Sequence, residues 1–198
     1  SLDTGDLDSD GDFDVVSGSM GDDTLRWYRN SGASPPSFSA LTMDTGVADP
    51  MTVLAEDLHH HGEIDVLTAT RGGDIVFWLW NDGATTPSFW AYDAAYAADG
   101  PRAVCAADVD RDGAVDAVVA GEDNDGLWWL SNNYTDLWSA YPITGTLGGA
   151  SAVATGDLDR DGDVDIVAGA YDDDEIAWFE NGGTTPWDWT ERLISSAH

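Results

Sequence analysis

The sequence predicts an all-β protein made of four copies of one four-stranded antiparallel unit, and three observations support this. A nine-residue acidic segment recurs in register, with first residues at positions 6, 57, 108 and 157, a period of 49 to 51 residues. Each copy leads into a short run of β-branched residues and then an aromatic run ending in Asn. Gly and Asp interrupt the chain about every ten residues, so no window keeps helical spacing of apolar residues for the length of a globular helix.

The four strands of each unit follow from these runs in order. The first strand is a short apolar run before the acidic segment, and the second is the β-branched run directly after it. The third is the aromatic run, and a turn rich in Pro, Gly and Thr leads to the fourth. First strands lie at Leu2, 51–54, 103–106 and 152–154; second strands at 15–16, 66–67, 117–119 and 166–167; third strands at 27–30, 78–81, 129–132 and 178–181; fourth strands at Phe38, Phe89, Trp138 and Trp189.

The second and third strands are apolar on both faces. Neighbours such as Val15 and Val16, or Trp178 and Phe179, would point to opposite sides of a strand, as expected of a sheet that is covered on both sides. Tandem four-stranded units of roughly forty to fifty residues are typical of β-propeller blades. We therefore predict a single β-propeller domain, residues 1–198, with repeats of approximately 1–50, 51–101, 102–150 and 151–198.

Three of the acidic segments have the chemistry of a calcium loop. Carboxylates stand at positions 1, 3, 5 and 9 and Gly at position 6, while the backbone carbonyl of position 7 points inward. Without a cation, four converging carboxylates would repel one another strongly, so we predict three occupied calcium sites. The predicted ligands are Asp6, Asp8, Asp10, Asp12 (carbonyl) and Asp14 in loop one; Asp108, Asp110, Asp112, Ala114 (carbonyl) and Asp116 in loop three; and Asp157, Asp159, Asp161, Asp163 (carbonyl) and Asp165 in loop four.

The second loop, DLHHHGEID, departs from this pattern, because His replaces Asp at positions 3 and 5. Imidazole nitrogens suit zinc, copper or nickel better than calcium. Two interpretations remain open: a degenerate loop that keeps its turn without metal, which we favour, and a transition-metal site, which needs about three well-placed ligands. The candidate ligands of such a site are Asp57, His59, His61, Glu63 and Asp65.

The order of these features resembles the FG-GAP or VCBS repeat, which is found in integrin-α-like propellers and in many secreted bacterial proteins. The shared pattern is an apolar strand, DxDxDGxxD, a second apolar strand and an aromatic strand ending in Asn-x-Gly. The resemblance covers essentially the whole chain and implies calcium binding and an extracellular or cell-surface location. Family members usually have seven or eight blades, whereas this chain has four. It could close as a small ring, pair with a second copy into eight blades, or belong to a longer array; we expect the second copy.

Composition limits the partners. The net charge is −31 and the chain contains no lysine, so it repels nucleic acid and anionic lipid and suits a saline habitat, where charge is screened. No apolar run is long enough for membrane insertion. Cys105 is the single cysteine, and its apolar neighbours predict a small buried side chain rather than a reactive thiol. The expected partners are another copy of the chain, a protein or a glycan.

Candidates for recognition come from the tryptophans. Trp27, Trp78, Trp129 and Trp178 share one repeat position and are interpreted as packing between blades. Trp80 and Trp90 stand where the other repeats have mostly polar residues, on either side of one turn. We predict either an exposed platform for a sugar or a filled blade edge that touches only protein. The ligand-binding candidates are Trp80, Trp90, Asn81 and Asp82.

No side chain stands in an activating context, so no catalytic residue is predicted. The sequence favours a non-catalytic, calcium-binding module for extracellular binding or scaffolding. The alternatives are a lectin-like propeller and the propeller part of a polysaccharide-processing enzyme.

Overall fold

A computed structural model describes residues 1–44, 46–96, 98–135, 137–183 and 188–196. The predicted all-β architecture is confirmed: the strands within these ranges form four sheets, each of four antiparallel strands in chain order. A single 3-10 turn at Arg71–Gly73 is the one helical element in these ranges. None of the described residues belongs to a helix that is long and apolar enough to cross a membrane.

Each sheet is one blade, and the acidic loops join its first and second strands as predicted. Blade one contains β1 (Leu2–Gly5), β2 (Asp14–Ser19), β3 (Thr24–Asn30) and β4 (Phe38–Asp44); blade two contains β5 (Pro50–Glu56), β6 (Asp65–Thr70), β7 (Ile75–Asn81) and β8 (Phe89–Ala95). Blade three contains β9 (Pro101–Ala107), β10 (Asp116–Gly121), β11 (Gly126–Ser131) and β12 (Ser139–Thr144); blade four contains β13 (Ala150–Gly156), β14 (Asp165–Ala170), β15 (Glu175–Asn181) and β16 (Trp189–Ser196).

The register is the same in every blade. The tryptophan of the third strand lies opposite the second apolar residue of the second strand in each blade. The pairs are Val16 with Trp27, Leu67 with Trp78, Val118 with Trp129 and Val167 with Trp178. The repeated sequence therefore produces a repeated hydrogen-bond ladder.

The core consists of three apolar clusters, and each lies between two consecutive blades. Leu25 and Trp27 of blade one pack with Val66 and Leu79 of blade two. Alternate residues of one strand thus face opposite neighbours, which explains why the alternation of apolar and polar residues is blurred. The inferred packing role holds for Trp27, Trp78 and Trp129, which are almost fully buried.

The four blades do not close into a ring. Neighbouring innermost strands contact one another in the pairs β1 with β5, β5 with β9 and β9 with β13. No comparable contact joins β13 back to β1, and all residues of both strands are described. One face of blade one and one face of blade four therefore lack a neighbouring blade.

Candidate metal centres

All four acidic loops share one backbone scaffold. The carboxylate at position 1 accepts a hydrogen bond from the N–H of the glycine at position 6, which has a φ between 92° and 95° that only glycine adopts readily. The four bonds are Gly11 to Asp6 (2.9 Å), Gly62 to Asp57 (2.9 Å), Gly113 to Asp108 (3.1 Å) and Gly162 to Asp157 (3.1 Å). Since loop two shares this turn, the turn depends on positions 1 and 6 rather than on the full set of carboxylates.

The aspartate at position 9 anchors each loop to the end of the third strand. It is fully buried, and its Oδ1 accepts the backbone N–H of the strand-ending asparagine. The donors are Asn30 to Asp14 (2.7 Å), Asn81 to Asp65 (2.8 Å), Asn132 to Asp116 (2.8 Å) and Asn181 to Asp165 (2.9 Å). Burial raises the pKa of Asp65 to about 6 and that of Asp116 to about 7. From the sequence, Asp14, Asp116 and Asp165 are expected only as ligands, whereas backbone hydrogen bonding is expected of Asp65 in the metal-free interpretation of loop two.

Three carboxylate clusters have the geometry for a metal ion, one each in loops one, three and four. Within each cluster the candidate ligand oxygens lie within 4.8 Å of one another. The clusters are Asp6, Asp8 and Asp10; Asp108, Asp110 and Asp116; and Asp157, Asp159 and Asp165. The buried Oδ1 atoms of Asp8 and Asp108 have no hydrogen-bond donor among the described residues, as expected of atoms placed to meet a cation. An all-carboxylate donor set fits calcium.

Not every predicted ligand joins a cluster. Asp14 in loop one and the position-5 residues Asp112 and Asp161 lie outside them. All three position-5 carboxylates accept the N–H of position 7: Asp10 from Asp12 at 3.1 Å, Asp112 from Ala114 at 2.7 Å and Asp161 from Asp163 at 2.8 Å. The position-7 carbonyls of Asp12, Ala114 and Asp163 remain predicted ligands.

In loop one an arginine enters the carboxylate cluster. Arg29, near the end of β3, places its Nε 2.5 Å from Asp8 Oδ2 and a terminal nitrogen 3.5 Å from Asp10 Oδ2. Burial raises the pKa of the Asp8 carboxyl, and the Arg29 guanidinium opposes that rise. Blades two, three and four have Trp80, Ser131 and Glu180 at this position. Loop one therefore holds a competing cation that loops three and four lack.

Loop two does not assemble a ligand cluster comparable to the other three in the described part of the chain. His59 stacks on the ring of Trp78, with ring centroids 4.0 Å apart and planes at 13°, and its Nδ1 lies 3.4 Å from the buried Asp65 Oδ2. The imidazole thus lies close to the buried carboxylate at position 9. That the loop keeps its turn without metal stays a prediction.

The second imidazole of this loop is held by side chains. His61 Nε2 accepts a hydrogen bond from Trp80 Nε1 at 3.1 Å. Its Nδ1 accepts the backbone N–H of Glu63 at 3.3 Å and lies 3.0 Å from Glu63 Oε2. Both polar ends of His61 are thus engaged by protein groups, and so is the indole N–H of Trp80.

The predicted blade-two surface is only partly exposed. Trp80 and Trp90 are directly opposite each other across the β7–β8 hairpin, but Trp90 is 57% exposed while Trp80 packs partly into the core. Asn81 is buried, and its amide donates to the carbonyls of Leu7 (2.8 Å) and Ile64 (2.9 Å). This amide is occupied, so Asn81 presents no free donor for a ligand.

Asp82 is exposed but serves the turn. Its Oδ1 accepts the N–H groups of Ala84 (3.1 Å) and Ser88 (3.0 Å), and these bonds lower the pKa of the Asp82 carboxyl. Of the four ligand-binding candidates, Trp90 is the one that offers a large exposed surface.

The repeated blade and its acidic loop define a class of protein. The family model described as an FG-GAP-like repeat matches residues 57–119 and 108–168, which together are more than half of the chain. The chain belongs to this family of FG-GAP-like repeat proteins. No curated protein sequence matches it.

Solved structures share the fold. A lectin from Agrocybe aegerita, described as recognising non-reducing terminal N-acetylglucosamine, aligns with a TM-score of 0.62 at 18% identity, over 98% of this chain and 51% of the lectin chain. BBS1N, in a complex with ARL6DN soaked with mercury, aligns with a TM-score of 0.67 at 13% identity, over 99% of this chain and 57% of that chain. The lead-soaked crystal of the same complex gives a TM-score of 0.64 at 14% identity, over 98% of this chain and 56% of that chain. The chain thus spans about half the length of these propeller-like structures.

Proposed function

We propose that this chain is a calcium-stabilised, non-catalytic propeller module that binds a glycan or protein partner outside the cell or at its surface. The three carboxylate clusters carry this proposal, because each gathers three acidic side chains at one loop of the repeat. Calcium is abundant in the extracellular environment, where such loops are most useful. The net charge of −31 adds a reason for divalent cations, since each bound ion neutralises two charges.

Calcium binding is tested by the stability that it adds. A ligand that binds only the folded state stabilises it by about 2.7 kcal/mol per site at a hundredfold excess over its dissociation constant. We expect chelation to lower the melting temperature strongly and calcium titration to restore it. Asp110→Ala should lower the number of bound calcium ions by one relative to the wild type, while Asp93→Ala, on the outer strand β8, should leave it unchanged. An unchanged melting curve in EDTA together with no bound calcium would contradict the proposal.

Glycan recognition is the favoured binding activity, and exposed Trp90 supports it. A large indole face beside a polar turn is a surface on which a sugar ring can stack. The structural similarity to a lectin is in keeping with this. On a glycan array, Trp90→Ala should abolish binding, whereas Tyr171→Ala, which removes a 75% exposed aromatic ring from blade four, should leave it intact. Glycan binding that survives Trp90→Ala would remove blade two from the proposal.

Association with a second copy is the other part of the proposal. The open row of blades leaves two apolar blade faces uncovered, and monomers rarely expose such patches. These faces are separate from the exposed indole of Trp90, so glycan binding and self-association can be measured independently.

A further inference from the structure

The same hydrogen bond recurs at each internal contact between blades. Its donor and its acceptor can therefore be located on the two open blade faces. At every internal contact, the asparagine that ends the third strand of one blade donates through Nδ2 to the carbonyl of loop position 2 in the preceding blade. The bonds are Asn81 to Leu7 (2.8 Å), Asn132 to Leu58 (2.8 Å) and Asn181 to Val109 (3.4 Å). The side chains of Leu7, Leu58 and Val109 are all buried by the following blade.

Each end of the chain carries one half of this contact. Asn30 of blade one makes the bond within its own blade, to the Phe13 carbonyl at 3.0 Å, but no preceding blade supplies the second acceptor. Leu158 of blade four occupies loop position 2, and it is 45% exposed where its counterparts are at most 2% exposed. The donor and the acceptor of one more contact are thus present on opposite ends of the same chain.

The apolar surfaces match in the same way. Val15 and Tyr28 of blade one correspond to Val66 and Leu79 of blade two, which are buried against blade one. With no preceding blade, Val15 and Tyr28 instead line an apolar hollow of about 340 Å³ together with Leu2 and Phe38. In the internal contact, Leu7 packs in the cluster that contains Val66 and Leu79. Leu158 of a preceding copy would pack against Val15 and Tyr28 in the same way.

Charge adds a specific match. Arg111, at position 4 of loop three, pairs with Asp163, at position 7 of loop four, at 2.6 Å. The corresponding position-4 residue of loop four is Arg160, and the position-7 residue of loop one is Asp12. Among the described residues, no carboxylate forms an ion pair with Arg160. At the other two internal contacts the corresponding residues are Ser9 with Glu63 and His60 with Ala114, so an Arg–Asp pair is not a general feature of the repeat.

Asp12 already has the orientation that this pair requires. Its carboxylate lies so close to Gly32 that a Cβ there would clash with it, and Asp163 lies over Gly183 in the same way. The side chain of Asp12 therefore needs no rearrangement to accept a guanidinium where Asp163 accepts Arg111.

We propose that two copies of this chain associate head to tail, with blade four of each against blade one of the other, through Arg160 to Asp12 and Asn30 to the Leu158 carbonyl. Two copies form two identical contacts and close a ring of eight blades. The structures that share the fold are about twice as long as this chain, which agrees with a closed unit of this size. The proposal extends the self-association proposed above and does not depend on glycan binding or on the number of calcium ions bound.

The proposed dimer is tested by measuring the molar mass of the protein in solution by light scattering. The buffer contains calcium and about 0.15 M salt, at which surface charges are screened beyond roughly 8 Å. We expect twice the 21.1 kDa of one chain at micromolar concentration. Arg160→Asp places like charges together at both contacts and should raise the dissociation constant roughly a hundredfold. Arg160→Asp combined with Asp12→Arg should restore the dimer, because the reversed pair re-forms between copies. Arg71→Asp makes the same change at an internal contact between blades two and three and should leave the mass unchanged.

Each other outcome has a defined meaning. A folded wild-type chain that stays monomeric, by near-UV circular dichroism and mass, would overturn the proposal. Masses that grow beyond two copies would overturn ring closure. A dimer that Arg160→Asp leaves intact would overturn the predicted contact while leaving self-association in place. Glycan binding or calcium stabilisation by a monomeric chain would separate this failure from that of the proposed function.

Discussion

Loops two and three have the same backbone and opposite chemistry. In both, Gly at position 6 donates to the first Asp, and the N–H of the strand-ending Asn donates to the last Asp at 2.8 Å. Loop three gathers Asp108, Asp110 and Asp116 into a carboxylate cluster, whereas loop two stacks His59 on Trp78. Positions 1, 6 and 9 thus make the same hydrogen bonds in both loops, and the loops differ in the side chains at positions 3 and 5.

The largest expected effect of a single substitution on stability comes from removing the buried aspartate at loop position 9. Asp116 accepts hydrogen bonds from the N–H groups of Val109, Asn132 and the Trp129 indole, so Asp116→Ala leaves three buried donors unpaired. We expect the free energy of unfolding to fall by about 3 kcal/mol or more in urea with EDTA present. Asp65→Ala in loop two should cost less, since Asp65 Oδ2 accepts no hydrogen bond from the described residues. Equal losses for the two variants would contradict this difference in anchoring.

The second prediction concerns whether the residues at positions 3 and 5 are sufficient to explain a difference in calcium binding between loops two and three. His59→Asp combined with His61→Asp gives loop two the carboxylate pattern of loop three. We expect one additional bound calcium ion, measured by isothermal titration, and about 2.7 kcal/mol of added stability at a hundredfold calcium excess. The control is His60→Asp, which adds a carboxylate at position 4 of the same loop and should add no site. An unchanged calcium count in the double variant would show that other residues decide occupancy.

The third prediction concerns the dependence of the stability of the metal-free protein on pH. Burial raises the pKa of Asp65 to about 6 and that of Asp116 to about 7, above the ordinary value of 3.8. The folded state therefore holds these protons more tightly than the unfolded state, so stability is highest near pH 4 and is lost as the pH rises through 6 to 7. In EDTA we expect a loss of roughly 3–4 kcal/mol between pH 5 and pH 7, the larger part from Asp116.

The Asp116→Asn variant and added calcium provide two controls for this pH dependence. Asp116→Asn keeps the side-chain oxygen but cannot ionise, so the loss between pH 5 and pH 7 should shrink. Calcium should also reduce the loss, because it binds the ionised carboxylates of loop three. Stability that rises with pH in EDTA would contradict the assignment.

The smallest expected effect concerns Arg29 in loop one. Arg29→Ser copies the residue of blade three and removes the guanidinium beside Asp8 and Asp10. Because Arg29 is 40% exposed, the competition is screened by solvent, and we expect calcium affinity of loop one to rise only severalfold. Arg26→Ser is the matched control, since Arg26 pairs with Asp22 away from the loop. A calcium titration that does not distinguish the two variants would remove Arg29 from the site.

The fold and the cation chemistry could be predicted from the sequence because both are local. The order of apolar and aromatic runs identified all sixteen strands, although β12 begins at Ser139, one residue after the expected Trp138. The spacing of carboxylates identified three acidic loops, each of which forms a cluster. The break in the repeat at Trp80 and Trp90 left exposure and burial open for both rings, and the structure exposes Trp90 while Trp80 packs partly into the core.

Other features depended on contacts between distant residues. The pairing of Arg29 with loop one, the stacking of His59 on Trp78 and the burial of Asn81 all join different strands and loops. Trp178 illustrates the limit: it has the same repeat position as three buried tryptophans, yet it is only half-buried because no blade follows it.

The sequence by itself determined the repeat, the strand types and the chemistry of each loop, since periodicity and ligand spacing are encoded within about fifty residues. Only the tertiary structure decided which carboxylate oxygens lie close together, which asparagine amides are hydrogen-bonded within the protein and which blade faces stay open. Those properties arise from hydrogen bonds between residues 16 to 74 positions apart, such as Asn81 with Asp65 and with Leu7. Their geometry exists only once neighbouring blades have packed against each other.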